Sequence, residues 1–185
     1  MEKNNTIFEL KKKLKLHEDQ TEFYLTEIQN LLSNTLHVPY IISYFTYSIN
    51  ISHNISTESM IIGTFHIRNI GKNEITHPYI CIKLSPNAPV HFSGKYVTKK
   101  NSLPSNPNGA WERINEQSNK NEYWLKPIGT VSIAPSETIT FSNFQIKWKP
   151  EKSYNAIVSG FSYCDEIQNG IPAVNQINLS GSFHD

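Results

Sequence analysis

Pro39 divides the chain into two hydrophobic rhythms. Before it, apolar residues recur at the three- and four-residue spacing of a helix, and after it they alternate at the two-residue spacing of a strand. One element cannot satisfy both periods, so the sequence predicts an N-terminal helix over residues 1–37 and a β domain over 38–185. At 185 residues and 38% hydrophobic content, the chain can bury a core and carry an accessory element beside it.

Thr6 followed three residues later by Glu9 fits a capping box, and the apolar periodicity runs to about Ser33–Asn34. A helix of that span is about 45 Å long at about 1.5 Å per residue, longer than a compact domain needs for a lid. With Ile7 at heptad position a, Ile7, Leu14, Thr21 and Ile28 fall at a, and Leu10, His17, Tyr24 and Leu31 fall at d. His17 and Thr21 are then polar layers in the middle of the seam, of the kind that fix register or strand number at a cost in stability. Two packings fit this pattern. One is a coiled coil that self-associates through Ile7, Leu10, Leu14, His17, Tyr24, Ile28 and Leu31. The other is an amphipathic helix laid on its own domain through Ile7, Leu10, Leu14, Thr21, Leu25, Ile28 and Leu32.

Beyond Pro39 the sequence reads as roughly eight strands separated by turn residues. Ile41 to Ile51 alternates apolar positions with Thr46, Ser48 and Asn50, as one half-buried strand would. Met60–Asn69, Ile80–Leu84, Val90–Val97, Tyr123–Leu125, Val131–Ile133, Ile139–Trp148, Tyr154–Cys164 and Ile177–Phe183 complete the set. Within Ile139–Trp148 the apolar parity shifts between Phe141 and Phe144, which one inserted residue near Ser142–Asn143 explains as a β-bulge. No second convincing helix of domain length separates these strands, and parallel crossovers would need intervening helices, so an antiparallel sandwich is favoured over a parallel sheet. The expected fold class is mainly β: an antiparallel immunoglobulin-like β-sandwich preceded by one long N-terminal amphipathic helix.

The runs Gly63-Thr64-Phe65-His66-Ile67-Arg68-Asn69-Ile70-Gly71, Ile133-Ala134-Pro135-Ser136-Glu137-Thr138-Ile139-Thr140-Phe141 and Trp148-Lys149-Pro150 resemble bacterial immunoglobulin-like modules of the CARDB type. The resemblance covers about residues 58–183 and rests on a strand ending in Asn-x-Gly and on a later turn that leads into a strand. In the family that turn is Pro-Gly-Glu, and here Ser136 stands in place of the glycine. What the resemblance implies is a non-catalytic interaction or spacer module.

A formal charge of +1 and a pI near 7.8 give no sequence-wide attraction to phosphate. Glu9, Glu18, Asp19 and Glu22 flank the basic run Lys11-Lys12-Lys13 with Lys15, which reads as a solvated helix face, so no nucleic-acid partner is expected. No unbroken apolar stretch precedes Pro39, so neither a membrane span nor a signal-peptide core is expected. The expectation is cytoplasmic synthesis and incorporation into an assembly of the virion or spore type.

Cys81 and Cys164 each fall in an expected strand without paired metal-ligand spacing, and buried free thiols are expected over a disulfide. His53, His66, His77 and His91 lie on or near successive strands, yet no His-x-His, His-Glu-x-x-His or Cys-x-x-Cys spacing accompanies them. A nucleophile elbow, a phosphate-cradling glycine loop and a dinucleotide fingerprint are all lacking. Neither catalytic residues, a metal nor a cofactor are therefore assigned.

The polar stretch 98–127 reads as a long loop and carries Trp111, Arg113, Tyr123 and Trp124, the candidate binding residues. Two function classes follow. The first is a structural or assembly protein that self-associates through its helix and presents its β domain to another protein. The alternative is a carbohydrate- or ligand-binding module that uses these loop aromatics as stacking faces.

Overall fold

A computed structural model describes residues 2–36, 40–52, 54, 56–98, 109–116, 118–149 and 153–182, with helix side chains described from Glu9 to Asn30. The chain separates into two units, Met1–Val38 and Pro39–Asp185. The first is a continuous helix, α1 (Glu2–Leu36). It begins four residues before the expected cap, so Thr6 and Glu9 lie inside it. Neither proline nor glycine interrupts residues 2–36. Pro39 follows at the distance where a proline stops helix propagation. No helix among the described residues is long and apolar enough to cross a membrane.

The second unit contains thirteen strands among its described residues. They are β1 (Ile41–Asn50), β2 (Ser59–Asn69), β3 (Ile75–Thr76), β4 (Tyr79–Leu84), β5 (His91–Ser93), β6 (Tyr96–Thr98), β7 (Trp111–Arg113), β8 (Glu122–Pro127), β9 (Ser132–Ile133), β10 (Thr138–Trp148), β11 (Tyr154–Cys164), β12 (Ile167–Pro172) and β13 (Ile177–Gly181). The smaller sheet has the order β1-β2-β10-β5 and the larger β12-β11-β4-β8-β7-β6, with β13 also beside β11 and β3 paired to β9. Pairing is antiparallel throughout the described residues except between β6 and β7, which run parallel. Within the stretch expected as a long loop at 98–127, β8 contains the expected strand Tyr123–Leu125, and β7 is a strand outside the expected set.

β2 and β11 bury one face and leave the other more open, as period-two alternation requires, whereas β1 does so only as far as Phe45. Phe45 and Phe65 from the smaller sheet meet Gly160 of β11, where a Cβ would lie 2.3 Å from the Phe65 ring. The missing side chain at Gly160 is therefore the space those rings fill. Phe92 packs on Tyr123 at 4.5 Å and Trp111 on Phe141 at 5.6 Å, joining both sheets in one core with Ile61, Ile80, Ile82, Leu125 and Val158.

The parity shift in β10 is a bulge: Phe141 pairs with Phe65 and Phe144 with Gly63, so three steps on β10 oppose two on β2. Asn143 takes the left-handed conformation there at φ 58°. The extra residue returns Phe144, Ile146 and Trp148 to the core, and the Phe144 ring lies across Gly63, where an added Cβ would approach it to 2.3 Å.

The two turns that carry the family resemblance meet at Asn69, which is fully buried. Its side-chain amide donates to Asn73 O at 2.7 Å and Ile133 O at 2.9 Å, and its Oδ1 accepts from Gly71 N at 2.9 Å. The Asn69 carbonyl also accepts from Ser136 N at 2.9 Å. Ser136 itself sits at φ 67°, the left-handed region that favours glycine. Truncation at Asn69 would strand the buried Ile133 carbonyl and remove the partner of the Asn73 carbonyl and Gly71 amide, whose bonds are half-buried, and a buried group so stranded costs about 1–3 kcal/mol. Asn69→Ala should therefore lower the urea-derived unfolding free energy by at least about 2 kcal/mol. A change below about 0.5 kcal/mol, within the range of ordinary surface substitutions, would contradict this role.

Candidate functional site

Three of the four expected binding residues lie inside the β unit. Trp111, Arg113 and Tyr123 are only 2%, 6% and 6% exposed. Trp111 donates its indole N–H to Thr140 O at 3.0 Å, tying β7 to the bulge region of β10. Arg113 lies 4.4 Å over the Tyr123 ring. Its Nη2 donates to the carbonyls of Glu116 at 3.2 Å, Asn119 at 2.5 Å and Glu122 at 3.1 Å, and its Nε donates to Asn115 Oδ1 at 3.0 Å. Arg113 thus organises the turn between β7 and β8 from beneath, and neither Trp111 nor Tyr123 offers a free ring face.

Trp124 faces the opposite side. In β4 and β8 the inward residues are Ile80, Ile82, Tyr123 and Leu125, so Tyr79, Cys81, Lys83, Glu122, Trp124 and Lys126 share the outer face of the larger sheet. Register then assembles an aromatic cluster from three strands. Tyr79 stacks on Tyr163 at 4.9 Å and 8°, and Trp124 lies 5.1 Å from Tyr163 and 6.2 Å from Tyr79. Burial among these rings, with Cys81, Tyr79 and Glu122 nearby, raises the Tyr163 phenol above its ordinary value. At one flank Glu122 bridges Lys83 at 3.0 Å and accepts from the Trp124 indole at 3.2 Å, and both contacts hold its carboxyl below the usual range.

At the other flank a cleft of about 400 Å³ opens beside Tyr79, between the β3–β4 turn, β7, the Lys126–Val131 segment and Asp165. His77 Nδ1 meets Asp165 Oδ2 at 2.6 Å, and Lys126 Nζ meets Glu112 Oε2 at 2.9 Å. His77 adopts φ 47°, pinned by its backbone N–H donating to Val131 O at 2.7 Å. Glu166 accepts from the Thr76 backbone N–H at 3.0 Å and from the Thr76 hydroxyl at 2.8 Å, closing the β3–β4 and β11–β12 turns onto each other. Neither Tyr79, Tyr163, His77 nor Asp165 belonged to the expected binding set. Their chain separation hid them, and the one available signal was the inward and outward parity of β4 and β11.

The smaller sheet has one partly open margin. Along β1, Phe45 donates its N–H to Asn175 Oδ1 at 2.8 Å and accepts from Asn175 Nδ2 at 2.9 Å, while Ser43 O accepts from Val174 N at 2.8 Å. By the same parity Tyr47 and Ile49 aim their backbone groups along that edge beyond the reach of Asn175, with exposed side chains.

In α1, Leu10, Leu14, Tyr24 and Ile28 of the expected seam are 61%, 60%, 60% and 51% exposed, and His17 is exposed with them. The Thr21 hydroxyl donates to His17 O at 2.7 Å. The side chains of Ile7 and Leu31 lie outside the described residues. Among the described residues no group of three or more His, Cys, Asp or Glu side chains converges as metal ligands, and the candidate His53 lies outside them.

Cys81 and Cys164 are buried free thiols on opposite faces of the larger sheet. Burial pushes both from 9.0 up to about 12. The folded chain thus favours the protonated thiols. That contribution is complete below pH 9.0 and is lost as pH rises toward 12. Neither thiol should react with a disulfide reagent at pH 8 until urea unfolds the chain, and melting temperature should fall as pH climbs above 9.0. Rapid labelling of the folded chain would contradict this burial.

No known protein family matches the chain, and no curated protein matches it. Among solved structures, the chain is similar to AvmM, described as catalysing macrocyclization in alchivemycin A biosynthesis, at 9% identity over 78% of this chain and 90% of that one, with a TM-score of 0.39. It is similar to a family GH18 chitinase from Chromobacterium violaceum at 8% identity over 70% of this chain and 18% of that one, TM-score 0.33. A GH20 exo-β-N-acetylglucosaminidase from Vibrio harveyi gives 10% identity over 77% of this chain and 17% of that one, TM-score 0.30. The chain spans less than one fifth of the length of either glycosidase. Likenesses of this size assign it neither an activity nor a substrate.

Proposed function

We propose that this chain is a non-enzymatic assembly protein whose helix self-associates and whose immunoglobulin-like β-sandwich presents an interaction surface to a neighbouring protein. The observation that carries this reading is α1 itself. Every described side chain from Glu9 to Asn30 is exposed, including an apolar stripe at heptad spacing. Isolated helices gain little from propensity alone, and most helical stability comes from burying such a stripe.

The occupant we assign to the stripe is a second copy in parallel register. Lys13 then falls at position g and Glu18 at position e of the facing helix, an opposite-charge pair. Leu14 and Ile28 meet their own counterparts, and the Thr21 hydroxyl enters the seam already bonded to His17 O. The resemblance to CARDB-type modules supports an interaction role for the second unit, as does the joining of its two signature turns at Asn69. The uncapped half of the β1 edge is where an extended segment of a neighbour would add as a strand.

A second reading, a carbohydrate- or ligand-binding module, is favoured by a separate observation: the Tyr79, Trp124 and Tyr163 cluster on the outer face and the cleft beside it.

Size-exclusion chromatography with light scattering separates helix-mediated assembly from a monomer. The full chain should run at a concentration-dependent multiple of its 21.2 kDa mass, and Leu14→Asp should return it to 21.2 kDa. Identical masses for the two would reject the seam.

A further inference from the structure

We propose that the cleft between the β3–β4 turn, β7 and the Lys126–Val131 segment binds a neutral saccharide, with Tyr79 as its stacking wall. The inference deepens the ligand-binding reading and is independent of helix assembly. It places the ligand away from Trp111, Arg113 and Tyr123, whose burial leaves them no free face.

Size is the first argument. The cleft, about 400 Å³, lies within the roughly 300–1,000 Å³ range of small-molecule sites. Its lining is divided between two chemistries. Tyr79, Ile114, Pro127 and Val131 form an apolar wall, with Ile114 and Val131 exposed, and Tyr79 is braced from behind by its stack on Tyr163. That wall suits the C–H face of a pyranose ring.

The polar groups supply the second argument. Among the described residues, Asp165 uses Oδ2 and Glu112 uses Oε2 in their ion pairs, so Asp165 Oδ1, Glu112 Oε1 and His77 Nε2 are left without protein partners. Carboxylate oxygens accept from sugar hydroxyls, the Lys126 ammonium donates to such hydroxyls, and the imidazole Nε2 donates or accepts according to its tautomer. Lys126 is the one fixed cation beside the two carboxylates, so a phosphate would meet a net negative rim, whereas a polyhydroxylated neutral ring donates to the open carboxylate oxygens and leaves Lys126 and His77 with their partners.

Position is the third. His77 is held in the left-handed region by its hydrogen bond to Val131 O while its ring is anchored to Asp165. A histidine kept at that cost, at the mouth of a cleft, is where strain is observed to accompany function.

The test is a panel of neutral pentasaccharides (α- and β-linked glucose, mannose, xylose and N-acetylglucosamine) titrated into the full chain. Indole fluorescence is a readout, since Trp124 adjoins Tyr79, and calorimetry is another. At least one pentasaccharide should bind with an affinity unchanged from about 50 mM to about 500 mM salt, as a neutral ligand requires. Tyr79→Ala should weaken it at least tenfold, and Glu112→Gln, an isosteric change at the rim, at least threefold. Unchanged melting temperatures in both variants separate lost binding from lost folding. Pentasaccharide binding retained in both variants would overturn this site while leaving the ligand-binding reading in place. Preference for an anionic or cationic competitor would overturn the neutral saccharide alone, and no binding by any pentasaccharide would overturn both the site and the carbohydrate-binding reading.

Discussion

The β unit depends on one extra residue in one strand. β10 must serve the core over its whole length, yet Ile139 and Phe141 sit on one parity and Phe144, Ile146 and Trp148 on the other. Without the bulge at Ser142–Asn143, one set would face water, since a one-residue slip moves every following side chain to the opposite face. With it, β10 spans β2 on one side and β5 on the other, and Phe144 reaches the space that Gly63 leaves open. Asn143 suits the corner because asparagine tolerates left-handed φ better than other non-glycine residues.

Once that register is set, the two faces of the larger sheet acquire separate roles. Its inner face receives Tyr123 against Phe92 and Arg113 over Tyr123, and this buried cation is satisfied by carbonyls and a ring face. Its outer face is left with Tyr79, Trp124 and Tyr163, rings too large for mere solvation and arranged by strand pairing into contact. Cys81 lies beneath them, opposite both Phe161 and Trp124, which explains why an outward-pointing thiol is nevertheless buried. In both sheets aromatic rings fill positions left open by glycine, at Gly63, Gly160 and Gly170.

Legibility in the sequence followed element length. The long helix, the strands β1, β2, β10 and β11 and the β10 bulge rest on runs of ten residues or more, where periodicity is well sampled. The roles of Trp111 and Arg113 were not legible, because β7 has three residues and three residues do not define a period. The polar residues between Arg113 and Glu122 made the surroundings read as loop. The helix start was misplaced for a related reason: Thr6 and Glu9 match a cap, yet the residues before them carry nothing that forbids helix. The outer cluster joins Tyr79, Trp124 and Tyr163 through pairing of β8, β4 and β11, and register between distant strands is a property of the fold that no local pattern records.

The proposed function lies in surfaces: a helical stripe for a second copy, a half-open strand edge for a neighbour, and a cleft for a ligand. The most direct measurement of the central claim is interchain disulfide trapping along α1, which the burial of Cys81 and Cys164 leaves free of interference. A parallel seam brings position a of each copy within the roughly 4.4–6.8 Å Cα separation that a disulfide spans. Under mild oxidation the full chain carrying Leu14→Cys should form a covalent dimer, and Thr26→Cys, on the opposite side of the helix, should remain monomeric. Equal cross-linking at both positions, or none at Leu14→Cys, would contradict a helix built for self-association.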